Sequence, residues 1–408
     1  MKPKFIPPQF KGDPSGPLFS YMEHYLTVIN GQGYAPSSVD EQLLLLDDFG
    51  RWFVRAGREV RDLTEAVAEE FLRYERTNRR SRLCAPAALR RLLAMLREIG
   101  VVPAAEVLRL SPSQELTFTF ERFLLEERHL SRASVYALRV TVSRFLAEKF
   151  GNGPLNLPGL EAPDVTGFVQ RHARRHGSSH ARKLVVAMRS FLRYLHYKGL
   201  VSRDLSWTVP KVARWSLSTL PKHLPAAQVR RLLSGCKRDT PRGRRDYAIL
   251  LLLARLGLRA GEVVGLNLED VDWDHGRITV CGKGRRDQLP LPADVARAIA
   301  EYLRRDRPRC ASRRVFIRAH APQSGFVRAT AIAKIVKCAL AKAGVESARK
   351  GAHLLRHSLA TDMLRKGASL DEIGEVLRHK SPDTTAIYAK VDLKSLKTLA
   401  MRWPGGAR

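Results

Sequence analysis

The sequence predicts a mostly α-helical protein with a small antiparallel β-sheet, built as tandem helical modules followed by a mixed α/β domain. Three observations predict it. Apolar residues recur at helical spacing through most of the chain. The first half carries one helical pattern twice. A single stretch, VDWDHGRITVCGKGRRDQLPLP (271–292), interrupts the helices with two turns between short β-type runs.

The elements follow in order. In a first module, residues 1–108, SVDEQLLLLDDFGRWF (38–53), LTEAVAEEFL (63–72) and the helix ending in LREIGVVP (96–103) carry apolar faces. In a second, residues 109–208, SVYALRVTVSRFLAEK (134–149), LEAPDVTGFV (160–169) and the helix ending in LHYKGLVS (195–202) match them at offsets between 96 and 99. Leu89, Leu92, Leu93 and Leu96 correspond to Met188, Phe191, Leu192 and Leu195 at one constant offset. Both helices stop at a glycine, Gly100 and Gly199, the residue a left-handed C-terminal turn favours. A linker, VPKVARWSLSTLPKHLP (209–225), has prolines at 210, 221 and 225 and little periodicity.

Residues 226–408 read differently. AAQVRRLLSGC and RRDYAILLLLARLGL are helices, the second apolar enough for a core, and LRAGEVVGL starts another. Val271 and Trp273, the turn Asp274-His275-Gly276, then Ile278 and Val280, the turn Gly282-Lys283-Gly284, and Leu289 and Leu291 give a three-stranded antiparallel sheet. ADVARAIAEYLRR restores the helix. In GAHLLRHSLATDML (351–364), Leu355, Leu359 and Met363 repeat at spacings of four. Ser381-Pro382-Asp383 reads as the capped start of a helix carrying Tyr388, and LKSLKTLAMRWPGGAR (393–408) as a short apolar tail helix.

Charge points to the partner. The chain holds 71 Lys+Arg against 40 Asp+Glu, a formal charge of +31. Such self-repulsion adds nothing to a fold, so a polyanion, nucleic acid above all, is the natural partner. A generically basic proteome explains only part of the excess. Basic runs recur at matching places in the two modules: Arg79, Arg80, Arg82, Arg90 and Arg91 in one, Arg174, Arg175, Arg182, Lys183 and Arg189 in the other. Runs of this kind are usually solvated faces; their recurrence makes them candidate phosphate contacts. The 44% hydrophobic content and 408 residues support two or three domains with real cores. No apolar run reaches the ~18 residues of a membrane span, and Met1–Gln9 has no signal-peptide apolar region. Five scattered cysteines without a CxxC read as reduced, buried thiols of a cytoplasmic, nucleoid-associated protein.

His353, Arg356 and His357 on one helix raise three options: a metal, a phosphate, or a decorated surface. His353 and His357 stand four apart as in HExxH, but Leu354 occupies the glutamate position and no third ligand is apparent. Glu269, Asp270, Asp272 and Asp274 could serve magnesium, yet they fall where turn aspartates are ordinary. Other candidates have equally plain readings. Arg259 is also a solvated helix-start arginine, Glu262 a helix-face carboxylate, and Lys283 a turn lysine with Arg285 and Arg286 competing for its role. Tyr388 is also a core tyrosine, as Tyr194 and Tyr197 are expected to be.

GLRAGEVVGL, GKGRRDQLPLP, HLLRHSLATDML and LRHKSPDTTAIYAKV occur in this order. Together they resemble the catalytic domain of the tyrosine recombinase (phage integrase) family over roughly residues 220–400, and residues 110–205 resemble that family's helical core-binding domain. Each box alone is weakly specific; four in order, ending in a tyrosine, are strongly so. The resemblance implies a mobile-element integrase, active in recombination, integration or transposition. It would cleave and rejoin DNA through a covalent 3′-phosphotyrosyl link, without metal or nucleotide cofactor. It makes Arg259 and Arg356 the phosphate-clamping arginines, Lys283 the hairpin lysine, His353 and His379 the histidine-box residues, Tyr388 the nucleophile and Glu262 a supporting acid. It also implies a homotetramer coupled through the tail, with accessory recombinases or DNA-bending proteins as possible partners. Two features depart from the pattern: Arg378 stands where glycine is common, and residues 1–108 have no place in a minimal two-domain member.

The chemistry fits those residue types. Attack on a phosphodiester gathers charge on non-bridging oxygens, which the planar, permanently charged arginine fork binds in pairs. A tyrosine hydroxyl, pKa about 10, needs a base or a positive field to attack. His353 is expected to sit against the phosphate and trade that proton, Lys283 to protonate the leaving oxygen, and His379 to donate to a non-bridging oxygen. Two rivals remain at this stage. One is a type IB topoisomerase-like nicking and resealing enzyme. The other is a regulator using SLDEIGEVLRHKSPDTTAIYAKV (369–391) as a helix-turn-helix.

Overall fold

The computed structural model describes residues 16–78, 82–104, 110–151, 153–174, 177–212, 221–282 and 285–391. Arg79, Arg80, Arg175, Lys283 and the tail 393–408 lie outside them. Two compact units form, one from Met1–Ala104 with Leu217–Arg408, the other from Ala105–Ser216.

The chain begins with α1 (Phe19–Gly31), α2 (Pro36–Arg55), α3 (Glu65–Asn78) and α4 (Ala85–Glu98). Their apolar faces close a core around Phe49, Phe53 and Phe71 with Leu43, Leu46, Leu92 and Leu96. Phe49 and Phe71 meet edge to face at 4.9 Å, the geometry the ring quadrupoles favour. Arg91 turns inward here, its Nη1 donating to Gln42 Oε1 (2.6 Å) and its Nη2 to Tyr34 Oη (2.5 Å).

The Ala105–Ser216 unit repeats this plan with α5 (Pro112–Glu126), α6 (Arg132–Phe150), α7 (Ala162–Arg174) and α8 (Ser178–Tyr197). Ser111 caps α5 in a reciprocal box with Gln114, and Ser131 caps α6. Matching positions are buried in both halves: Val39 and Val135, Phe49 and Phe145, Phe71 and Phe168, Leu93 and Leu192, Val102 and Val201. Gly100 and Gly199 both take the left-handed conformation, with φ of 74° and 68°. Tyr194 is a core tyrosine as expected. Tyr197 is not: at the last turn of α8 it is 65% exposed, with the Lys198 ammonium over its ring.

Beyond residue 220 come α9 (Ala226–Ser234), α10 (Pro241–Arg255), α11 (Ala260–Gly265), β1 (Val271–Asp272), β2 (Arg277–Gly282), β3 (Arg285–Pro290), α12 (Ala293–Arg305), α13 (Thr330–Lys342), α14 (Ala352–Arg365) and α15 (Leu370–Leu377). Residues 248–253 of α10 are all buried, and the helix packs against α12 and α14 as the core helix its sequence predicts. The sheet runs β1-β2-β3, antiparallel, with Val271 opposite Ile278 and Thr279 opposite Gln288. Trp273 falls past β1, half-exposed in the turn.

Pleating sends Ile278 and Val280 inward and Cys281 out to solvent. The other four thiols are only half-buried, so the expected set of buried cysteines is not found. Tyr388 lies on no α-helix: Pro382–Thr384 and Ala386–Val391 form two 3₁₀ turns. Ser381 caps the first as expected, but Thr385 bonds back to Pro382 and Tyr388 to Thr385, closing three-residue rather than four-residue steps. Among the described residues no helix is long and apolar enough to cross a membrane.

Candidate active site

Helix α14, packed against α10 and α15, supplies the centre of the site. Leu354 and Leu355 enter the core, so Arg356 is carried in beside them, only 3% exposed. A buried guanidinium needs acceptors. It donates through Nη1 to Gly257 O (2.5 Å) and through Nη2 to Leu377 O at the end of α15. Gly257 has a φ of 58°, and a Cβ there would fall 2.7 Å from the Leu377 side chain, so this approach requires glycine.

Arg259 opens α11. Its Nη1 donates to Glu262 Oε1 at 2.7 Å, its amide to Glu262 Oε2 at 2.8 Å, and its Nη2 to Arg378 O at 3.2 Å. The two arginines therefore hang from consecutive carbonyls, Leu377 and Arg378, where α15 ends and its dipole is negative. Arg378 itself is left-handed (φ 53°, ψ 52°), its amide returning to Glu375 O and that of His379 to Gly374 O. The turn that glycine usually makes is thus made by an arginine.

Tyr388 is 1% exposed, and its Oη lies 2.7 Å from Nδ1 of His357. Burial pushes the phenol up to about 12, partly opposed by the Arg356 charge. Burial first, then His353 and the cations Arg349 and Arg356, holds His357 down near 4. At neutral pH the phenol keeps its proton and the imidazole is neutral; with the ring proton on Nε2, the phenol donates to Nδ1. His379 places Nδ1 2.7 Å from Thr385 Oγ1, and burial with Arg356 and Arg259 lowers it to about 4 as well. Burial, then repulsion from Arg259 and Arg378, lowers Arg356 to about 10. Burial alone would raise Glu262, but the Arg259 amide and the Arg378 and Arg259 charges outweigh it and hold the carboxyl below its ordinary value. Three guanidinium charges thus converge against one carboxylate, an arrangement that favours an incoming anion.

The structure brings together Arg259, Glu262, Arg356, His379 and Tyr388. His353 lies on the exposed side of α14, its ring 6.3 Å from that of His357. The Tyr388 hydroxyl meets His357 rather than His353; the sequence offered His357, with His353 and Arg356, as a metal, phosphate or surface residue. The usable signal was its place next to Arg356, on the face whose neighbours bury. The acidic cluster is spent on turns: Asp270 accepts from Asn267 N (2.9 Å) and Asp272 from His275 N (3.0 Å). Among the described residues no three His, Cys, Asp or Glu side chains converge as a metal-binding group.

The basic candidates separate. Arg174, Arg182, Lys183 and Arg285 are exposed, and so is Arg286, 3.7 Å from Asp270. Arg189 donates to Val209 O (2.8 Å), and Arg82 pairs with Asp48 (2.9 Å).

The two depressed histidines predict acid sensitivity. Each titrates near 4 when folded against an ordinary 6.5, so the unfolded chain binds more protons between those values. Their contribution to stability is full above about 6.5 and is lost as pH falls toward 4. The urea midpoint of a His357→Gln/His379→Gln protein is expected to fall less between pH 7 and pH 4.5 than that of wild type. Parallel pH curves would show that these rings are not the source.

Comparison with known proteins places the chain in a family. Residues 222–394 match the phage integrase family. The chain is 46% identical over 397 residues to the putative integrase/recombinase y4rA of Sinorhizobium fredii, covering 97% of each. It is 33% identical over 294 residues to the tyrosine recombinase XerD of Listeria innocua, covering 69% of this chain and 96% of that one. Among solved structures, the XerH site-specific recombinase in a post-cleavage complex on palindromic difH shares the fold at a TM-score of 0.55 and 18% identity, over 81% of this chain and 93% of that chain. A lambda integrase dimer bound to a COC′ core site does so at a TM-score of 0.51 and 12% identity, over 67% and 94%. The chain belongs to the phage integrase family and is a tyrosine-type site-specific DNA recombinase.

Proposed function

We propose that the chain cleaves and rejoins double-stranded DNA through a covalent 3′-phosphotyrosyl intermediate on Tyr388. One observation carries this reading: the Tyr388 hydroxyl lies 2.7 Å from His357, on the helix that buries Arg356 beside Arg259. A phosphodiester docked on the two arginines has its non-bridging oxygens held by guanidinium donors. Its charge also offsets the cations that keep His357 a weak base, so the ring improves as a proton acceptor when substrate arrives. Tyr388 Oη then bonds to phosphorus, its proton passes to His357, and the bond to the 5′-oxygen breaks. Lys283, which follows β2 in the sequence, is proposed to protonate that oxygen. His379, fixed by Thr385, and His353 complete the donors around the phosphate. Attack by a 5′-hydroxyl on the phosphotyrosine reverses these steps and rejoins the strand.

The test is capture of protein–DNA adducts under denaturing conditions, with the linked peptide mapped and the DNA sequenced. A nucleotide on the Tyr388 peptide at discrete sites is the expected result. Absence of any adduct would sink the covalent reading, and adducts without site preference would favour nicking and resealing in place.

The reading extends to the helical units. Residues 16–104 repeat the burial pattern of 110–209, which supports a duplicated four-helix domain ahead of the core-binding and catalytic domains. The copies differ in charge. Residues 16–104 hold twelve arginines, no lysine and twelve Asp+Glu, while the whole chain carries +31. The grip on DNA phosphates is therefore assigned to residues 110–391, with Arg174, Arg182, Lys183, Arg285 and Arg286 as exposed contacts. An Arg182→Ala/Lys183→Ala protein is expected to lower the slope of log K against log salt by about 2, while Arg82→Ala, already paired, leaves it unchanged. Equal slopes for all three proteins would refute this division. Assembly as a homotetramer through residues 393–408, with accessory recombinases or DNA-bending proteins, and action at the cytoplasmic nucleoid belong to the same reading.

A further inference from the structure

Arg378 stands out because its backbone and its side chain pull in opposite directions. At φ 53° a residue with a Cβ is strained, and glycine would not be. Its side chain, 6% exposed, is nevertheless brought inward to Glu262, with Nη2 2.8 Å from Oε2. That oxygen also receives the Arg259 amide, while Oε1 receives Arg259 Nη1. Glu262 is thus held by two guanidinium groups at once.

The same guanidinium faces the sheet. Arg378 Nε has no hydrogen-bond partner among the described residues and lies 3.9 Å from Asp287 Oδ2 on β3. The last residue of β2 closes on Glu262: a Cβ at Gly282 would fall 2.9 Å from Glu262 Oε1. Arg378 therefore touches α11 and β3 from the end of α15, the segment whose carbonyls hold Arg259 and Arg356.

Charge gives this contact a consequence. With glycine at 378, Glu262 would cancel most of the Arg259 charge one for one. With arginine there, the carboxylate is shared, and Arg259, Arg356, Arg378 and Glu262 together carry two net positive charges instead of one. Glycine would keep the left-handed turn and both carbonyls, so the turn itself does not require the side chain.

We propose that Arg378 is a positioning residue: by sharing Glu262 and facing Asp287, it leaves Arg259 more of its charge toward the phosphate and ties the β2–β3 hairpin to the arginine pair. The inference rests on the phosphate-clamp reading above. Its side chain is buried against Glu262, so it acts through Arg259 and the hairpin rather than on the substrate.

The experiment measures single-turnover adduct formation on a nicked duplex, DNA affinity and Tm for full-length wild type, Arg378→Gly, Arg378→Lys and Glu262→Gln/Arg378→Gly, with Glu262→Gln as reference. Arg378→Gly is expected to lower the cleavage rate on the order of tenfold to a hundredfold, the range for one charge-assisted hydrogen bond. Its DNA affinity stays within about twofold and its Tm is unchanged or higher, since the left-handed strain is relieved. Arg378→Lys recovers part of the rate. Arg378→Gly has little further effect once Glu262 is glutamine, because there is no carboxylate left to share. Wild-type cleavage rates in Arg378→Gly would overturn the inference alone. A fall in rate matched by a fall in Tm would overturn it in favour of a structural role. Failure of the wild-type protein to form any adduct would overturn both this inference and the function on which it rests.

Discussion

Tyr388→Phe is expected to abolish the covalent adduct while leaving fold and DNA affinity in place. The ring is buried in the cluster of Ala360, Ile373 and Leu377, and phenylalanine fills the same space. What is lost is the hydroxyl and its 2.7 Å contact with His357, worth about 1 kcal/mol of stability at most, since the imidazole can take water in exchange. The rate, in contrast, loses its nucleophile. Removing such a group costs on the order of 10⁴-fold or more. Because Tyr388 is 1% exposed, it makes little direct contribution to affinity, and the Phe variant is expected to occupy the same DNA sites as wild type. Adduct mapping beside occupancy mapping separates the readings. Occupancy without adduct in the variant alone marks Tyr388 as the nucleophile. Adducts persisting in the variant would assign the chemistry to another side chain, and adducts in neither protein would leave a DNA-binding regulator.

The fold was legible where a pattern is local. Six successive buried residues in α10, the alternation across Ile278 and Val280, and the Ser381 cap each follow from a few neighbouring residues. The site was legible only as residue types in order. That Arg259 and Arg356 hang from adjacent carbonyls depends on where α15 ends, a contact across more than a hundred residues for Arg259. The choice between His353 and His357 turns on which side of α14 meets the Tyr388 segment, and α14 is apolar or small at so many positions that periodicity leaves its face undecided. Tyr197 differs from the expected core tyrosine for a similar reason: two residues past Leu195, the last inward position of α8, its ring faces out. Arg378 shows the reverse case, where the sequence flagged a departure from glycine and the chain made the same left-handed turn regardless.

Arg356→Met is expected to separate activity from stability most sharply. The arginine is 3% exposed, and its fall from 12.5 to about 10 corresponds to roughly 3 kcal/mol of penalty for carrying charge there. A methionine of similar reach removes that penalty but strips Gly257 O and Leu377 O of their donor, about 1–3 kcal/mol each. The two effects offset in large part, so the variant is expected to unfold within about 3 kcal/mol of wild type. Cleavage has no such compensation. The transition state loses a bidentate donor held at the phosphate, on the order of 10²–10³-fold or more. Arg356→Lys is expected to fare little better, because one ammonium cannot bond two diverging carbonyls and still present paired donors to a phosphate. Denaturant unfolding beside single-turnover cleavage checks both sides. If Arg356→Met collapses, the buried cation is holding the fold. If it cleaves within tenfold of wild type, Arg356 is not the clamp. The expected pattern, a stable protein that cannot cut, follows from a site whose positive charges repel one another until a phosphate arrives between them.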